Sequence, residues 1–168
     1  YNINQINANP ISFHFMYERI SCFAFSQSYG VIVIGTFNGF IYIVDSKSGL
    51  VSFRSTVLDQ NVNLHSNSSE SLLSSSSLFE SFSELSYFRD GKIPTKIIVT
   101  EGFGFIVVYC DDLSLFVFNI NGSLIRKRKL NFAATILSSF KSNCGFDFIV
   151  AADSKGGIRF CEAFYLDF

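Results

Sequence analysis

The feature that most constrains this chain is a pattern of short apolar runs and tight turns that occurs three times. In the first copy ISCFAFS (20–26) leads to GVIVIGT (30–36), then through FNGF to IYIVD (41–45), and through SKSG to LVSFRST (50–56). The second copy runs TKIIVTE (95–101), GFIVVYC (104–110), LFVFN (115–119) and LIRKRKL (124–130), with DDLS and INGS as its later turns. The third runs ATILSSF (134–140), DFIVAAD (147–153) and, after SKGG, IRFCEAFYLDF (158–168). Runs of this length, rich in β-branched and aromatic residues and bounded by glycine, asparagine, aspartate and serine, are strands joined by hairpin turns. The internal spacing repeats as well: Val31 to Ile41, Phe105 to Leu115 and Phe148 to Ile158 are each ten residues apart.

A unit of four short strands recurring about every 40–45 residues is the pattern of a β-propeller blade of the WD type. The second strand of each copy is apolar without alternation (VIVI, FIVV, FIVA), which requires both of its faces to be covered. Stacked blades do this. The fourth strand, LIRKRKL, is charged, as an outer strand facing water should be. The expected fold is therefore all-β, a partial WD40-like propeller of about three four-stranded antiparallel blades. FHFMYE (13–18) adds an outer strand of a preceding blade.

The boundaries follow: a linker and outer strand over 1–19, blades over 20–57 and 94–131, and a C-terminal blade over 132–168. Between the first two blades, 58–93 holds eleven serines in 36 residues. It is expected to be a disordered surface insertion, with Leu72, Leu73, Phe79, Phe82 and Leu85 spaced for one short amphipathic helix. Propellers usually close with about four to eight blades. Three copies, and a first residue that is not methionine, lead us to expect a piece of something longer.

Composition narrows the function classes. A net charge of −1 provides no general attraction to nucleic acid or acidic lipid. The apolar runs are far too short to span a bilayer as helices. Cys22, Cys110, Cys144 and Cys161 are widely separated, without the spacing of a zinc site or a disulfide framework, so a reducing, cytoplasmic setting is expected.

The sequence contains no catalytic constellation. His14 and His65 lack a carboxylate or cysteine at ligand or triad spacing. Asp111-Asp112 falls in a turn, where aspartate hydrogen-bonds neighbouring amides. Glu101-Gly-Phe-Gly and Lys155-Gly-Gly are turns with no helix after them, unlike phosphate-cradling loops. Arg126-Lys-Arg-Lys129 lies on a strand, so its four charges divide between two faces. The expectation is a non-enzyme with no cofactor, no metal and no small-molecule substrate. Its partners would be other proteins, docked on the turns at one end: Phe37-Asn38, Asp111-Asp112 and Ser154-Lys155, with Phe37 foremost.

GTFNGFIYIVDSKSG resembles the second and third strands of a WD40 repeat, with Val44 where the family's tryptophan usually stands and Asp45 retained. The family's glycine-histidine pair is missing from all three copies. More specifically, TEGFGFIVVY (100–109), FNINGSLIRK (118–127) and EAFYLDF (162–168) are similar to the C-terminal WD40 region of BEACH-domain proteins. That resemblance implies a protein-docking platform in membrane and vesicle trafficking. It also implies a place at the periphery of intracellular membranes, reached only through other domains of a parent protein.

Two other readings compete. A quinoprotein-type propeller enzyme would use tryptophan docking and a metal-bearing channel, and this chain contains no tryptophan. An unrelated β-sandwich would show alternating strands, which the VIVI, FIVV and FIVA runs contradict.

Overall fold

The computed structural model describes residues 18–56 and 92–168. Residues 13–17 of the strand expected at 13–18, residues 58–91 of the insertion expected at 58–93 with its helix, and both histidines lie outside the described residues.

Among the described residues, eleven strands form three antiparallel sheets. The first holds β1 (Ile20–Ser26), β2 (Val31–Thr36), β3 (Phe40–Asp45) and β4 (Val51–Thr56) in chain order. The second holds β5 (Pro94–Val99), β6 (Ile106–Cys110), β7 (Ser114–Phe118) and β8 (Leu124–Lys129), again in chain order. The third holds β9 (Ala134–Lys141), β10 (Asp147–Asp153) and β11 (Ile158–Glu162). Each sheet is a blade whose strands follow one another through hairpins.

Among the described residues the third blade has three strands instead of four. After Glu162 the chain turns, with Leu166 N–H donating to the Glu162 carbonyl, and Ala163 and Leu166 bury themselves against the second blade. That packing takes up the residues EAFYLDF, which therefore do not return along β11.

The blades stack face to face. Val33, Ile41 and Ile43 of the first meet Ile97, Ile106, Val108 and Phe116 of the second in one cluster. Val107, Leu115 and Val117 on the second blade's other face meet Ile149, Ala151 and Cys161 of the third. Alternate side chains of a strand point to opposite faces, so β6 and β7 serve both clusters and every residue in them is buried. This is why IVVYC and SLFVF carry no polar alternation.

On the third blade alternation returns, because nothing among the described residues covers its outer face. Ile149 and Ala151 are buried while Phe148 and Val150 are half-buried, and Ile136, Phe140, Ile158 and Phe160 beside them are exposed. The run FIVA is thus apolar on both faces but covered on one.

The inner strands run side by side, β1 against β5 and β5 against β9. Ser21 Oγ at the start of β1 donates to the Pro94 carbonyl at the start of β5 over 2.6 Å, so these strands begin at the same end. We call that end upper; the turns joining second to third strands lie there. The turns joining first to second strands lie at the opposite, lower end.

Candidate functional site

Each upper turn is a short hairpin that closes on a residue with positive φ. Gly39 N–H donates to the Thr36 carbonyl, Leu113 to Cys110, and Gly156 to Asp153. Leu113 has a φ of 68° where the other two copies have glycine. Its side chain packs against the core between the second and third blades, which offsets the left-handed backbone.

The six docking residues expected from the sequence all sit in these turns, at equivalent places in the three blades. Phe37 and Asn38 are exposed, and the Arg19 guanidinium lies 4.9 Å from the centre of the Phe37 ring. Ser154 and Lys155 are exposed as well.

Asp111 and Asp112 are engaged in holding their own blade. Asp111 Oδ1 accepts from Ile93 N–H over 3.0 Å, tying the turn to the start of β5. Asp112 accepts from Ser114 N–H and Oγ and pairs with Lys92 Nζ at 3.0 Å. Burial disfavours the charged Asp112 carboxylate, but these hydrogen bonds outweigh it and hold its pKa below the ordinary value.

The basic run divides as a strand requires. Arg126 and Arg128 face the third blade, over Phe164 and against Asp167, while Lys127 lies 5.4 Å from the Phe116 ring on the other side. It forms no single basic patch.

The lower end holds a site that sequence reasoning missed. Three aromatic residues, Phe103, Phe105 and Phe164, come together with Phe146 and Tyr165 around a cavity of about 330 Å³ between the second and third blades. Asp147 and Glu162 complete its lining. Phe103 belongs to the β5–β6 loop, Phe146 to the β9–β10 turn, and Phe164 and Tyr165 to the turn after β11. The available signal was the placing of aromatics within turns, as in Gly102-Phe-Gly104 and Gly145-Phe146, where a core role is unnecessary.

The cavity wall is braced from both neighbouring blades. Asp147 accepts from Thr100 Oγ1 at 2.6 Å, Gly102 N–H at 2.8 Å and Phe103 N–H at 2.7 Å. Tyr29, from the first blade, donates its hydroxyl to the Gly102 carbonyl over 2.6 Å. A loop bearing two glycines is thereby held in one conformation.

Several other reactive groups are committed or masked. Asp153 accepts from Lys155 and Gly157 N–H and pairs with Arg159. The buried thiols of Cys110 and Cys161 are pushed up by desolvation, Cys161 to about 12. Among the described residues, no group of three or more histidine, cysteine or carboxylate side chains is placed to hold a metal ion.

No protein-family profile matches the chain, and no curated protein matches it. Solved structures do resemble it. The WD40 domain of SCAP from fission yeast superposes with a TM-score of 0.54 at 10% identity, covering 86% of this chain and 31% of that one. The β-propeller domain of Cps50 (Swd1) from Myceliophteria thermophila gives 0.50 at 15% identity, covering 88% and 39%. BBS1N, solved in complex with ARL6DN, gives 0.52 at 11% identity, covering 81% and 33%. The chain thus spans about a third of the length of these solved chains, and its three stacked sheets have the fold of part of a WD40-like β-propeller.

Proposed function

We propose that this chain is a non-catalytic protein-docking segment, part of the propeller of a BEACH-type protein that acts in membrane trafficking. The observation that carries the docking reading is the repetition of one solvent-facing turn at the same end of three rigidly stacked blades. Such a scaffold presents side chains without the ordering cost that a flexible loop incurs on binding. Phe37, Asn38, Ser154 and Lys155 supply the exposed aromatic and polar contacts. Asp111 and Asp112 shape the middle turn and add negative charge beside them. A propeller of this fold solved in complex with another protein supports the reading by analogy.

The non-catalytic reading is supported by how the acidic and thiol groups are used. Asp112, Asp147 and Asp153 are tied to amides, hydroxyls or basic side chains, and the buried thiols are held protonated. A catalytic acid or nucleophile needs the opposite, a group free to reach a substrate with its pKa near working pH. The BEACH parent rests on the resemblance of residues 100–109, 118–127 and 162–168. With it come the trafficking role, the cytoplasmic location and the indirect link to membranes.

The test is affinity capture with the tagged chain, its Phe37→Ala, Lys155→Glu double variant, and quantitative mass spectrometry. A discrete set of proteins lost from the double variant, with the variant's fold unchanged by circular dichroism, is the expected result. Identical captures from both would overturn docking through this end. An immunoblot of source cells with an antibody to this chain tests the parent. A band far above 18.8 kDa is expected, and a band near that mass removes the BEACH reading.

A further inference from the structure

We propose that the aromatic cavity at the lower end takes an arginine side chain of a partner protein. The inference rests on the docking reading but concerns the end of the propeller opposite the turns named above.

The cavity's size places it at the small end of ligand pockets, about 300 Å³ and upward, fitting one long side chain better than a cofactor. Its rings are fixed relative to one another. Phe103 and Phe105 stack with centroids 5.6 Å apart, Phe105 and Phe164 lie at 6.5 Å, and Phe164 meets Tyr165 edge-on at 5.3 Å. Four of the aromatics keep 42–58% of their surface in water: Phe103, Phe146, Phe164 and Tyr165. That exposure is built in. The loop carrying Phe103 is clamped by Asp147 and Tyr29, so its ring cannot retreat into the core without breaking these half-buried hydrogen bonds.

Charge selects the occupant. Aromatic faces attract cations, and the lining's two carboxyl side chains, Asp147 and Glu162, face no basic residue within it. Asp147 is spent on the loop. Glu162 is not: its carboxylate accepts no hydrogen bond and forms no ion pair among the described residues, leaving both oxygens available beside the rings. A guanidinium satisfies such a site in two ways at once, by stacking flat on a ring and by forking two N–H groups onto one carboxylate. An ammonium can use the charge but neither the stack nor the fork. The chain already shows the first half of this arrangement, with the Arg126 guanidinium 5.6 Å from the Phe164 ring centre although Arg126 is not among the lining residues.

The experiment is an NMR titration of the isotopically labelled 168-residue chain with capped glycine–X–glycine peptides, X being arginine, lysine, citrulline or leucine. Saturable shifts of the Gly102, Phe103 and Phe146 amides with the arginine peptide are expected, and weaker or no shifts with the others. Glu162→Gln should weaken arginine binding by about tenfold or more, the loss of one charge-assisted pair. It removes no contact made within the fold, so a preserved spectrum elsewhere will confirm that the variant is folded. Equal binding of lysine would overturn the fork, and equal binding of citrulline or leucine would overturn the cation. No shift with any peptide would overturn the site. Because no upper-turn residue takes part, any of these failures leaves the proposed docking at the upper end standing, and Phe37→Ala should not alter the titration.

Discussion

Thr100 Oγ1 and Asp147 Oδ2 meet at 2.6 Å, both buried, one at the end of the second blade's inner strand and the other at the start of β10. The same carboxylate takes Gly102 and Phe103 N–H, and Thr100 Oγ1 in turn accepts from Phe105 N–H at 2.9 Å. Asp147 thus joins two blades and sets the shape of the loop between Thr100 and Phe105.

Replacing Asp147 with alanine strands three donors, the buried Thr100 hydroxyl and the half-buried Gly102 and Phe103 N–H groups. A loss of about 2–4 kcal/mol of unfolding free energy is expected, since each unsatisfied buried group costs about 1–3 kcal/mol and some will find water. Urea denaturation measures it. Asp147→Asn keeps one acceptor oxygen and should lose less; an alanine variant as stable as the parent would show that the blades dock without this carboxylate.

Gly122 turns the chain between β7 and β8 at a φ of 88°, and a Cβ there would stand 2.5 Å from the Phe53 ring of the first blade. Gly156 has nearly the same backbone, φ 85°, with nothing within 4 Å of its missing Cβ. Alanine at Gly156 should cost only the left-handed penalty, about 1–2 kcal/mol. Alanine at Gly122 should cost about 1–3 kcal/mol more from overpacking. Equal losses in paired urea titrations would mean that Phe53 moves aside freely.

Desolvation raises the thiol pKa of Cys22, Cys110 and Cys161, while Cys144 lies exposed in the β9–β10 turn. Since the thiolate is the reacting species, iodoacetamide at about pH 8 should alkylate Cys144 first, and the other three chiefly after unfolding. Peptide mass spectrometry along a time course reads the order. Early labelling of Cys110 would contradict the packing between the first and second blades.

Acid should loosen the turns. The Ser48 backbone amide, with the Ser48 hydroxyl, holds the Asp45 carboxyl below its usual value, and the Gly157 amide and the Arg159 guanidinium do the same for Asp153. A carboxylate depressed in the folded state stabilises it above the unfolded pKa, and that contribution is lost as pH falls through the folded value. The melting temperature should therefore be level above about pH 5 and fall below about pH 4, the range of unperturbed carboxylates. Asp45→Asn with Asp153→Asn should make the fall shallower in a thermal-melt series. An unchanged slope would assign acid sensitivity to other carboxylates.

Much of the fold was legible because a strand's environment is written every second residue. The expected strands at 20–26 and 147–153 coincide with β1 and β10, and most of the other observed bounds shift by a residue or two. The loop before β6 was less visible. GFIVVYC suggested a strand from 104, but Gly104 takes a φ of 70° and β6 starts at Ile106. The Thr100 and Asp147 side chains that shape that loop come from positions 47 residues apart. The third blade's missing strand was hidden for a related reason: EAFYLDF has strand-like composition, yet burying Ala163 and Leu166 against the second blade competes successfully with pairing along β11.

What the sequence by itself determined is the blade: local runs, turn residues and ten-residue spacing specify hairpins without reference to distant parts of the chain. It also placed the upper turns at equivalent positions, because equal repeats put equal residues at equal places. Only the tertiary structure decided the aromatic cavity, the division of work between Asp147 and Glu162, and the choice of Ile93 and Lys92 as partners of Asp111 and Asp112. Those depend on which turns of different blades come together when the sheets stack. Stacking is governed by burial of apolar faces, which constrains side-chain pattern closely but leaves the partners of individual turn residues to geometry.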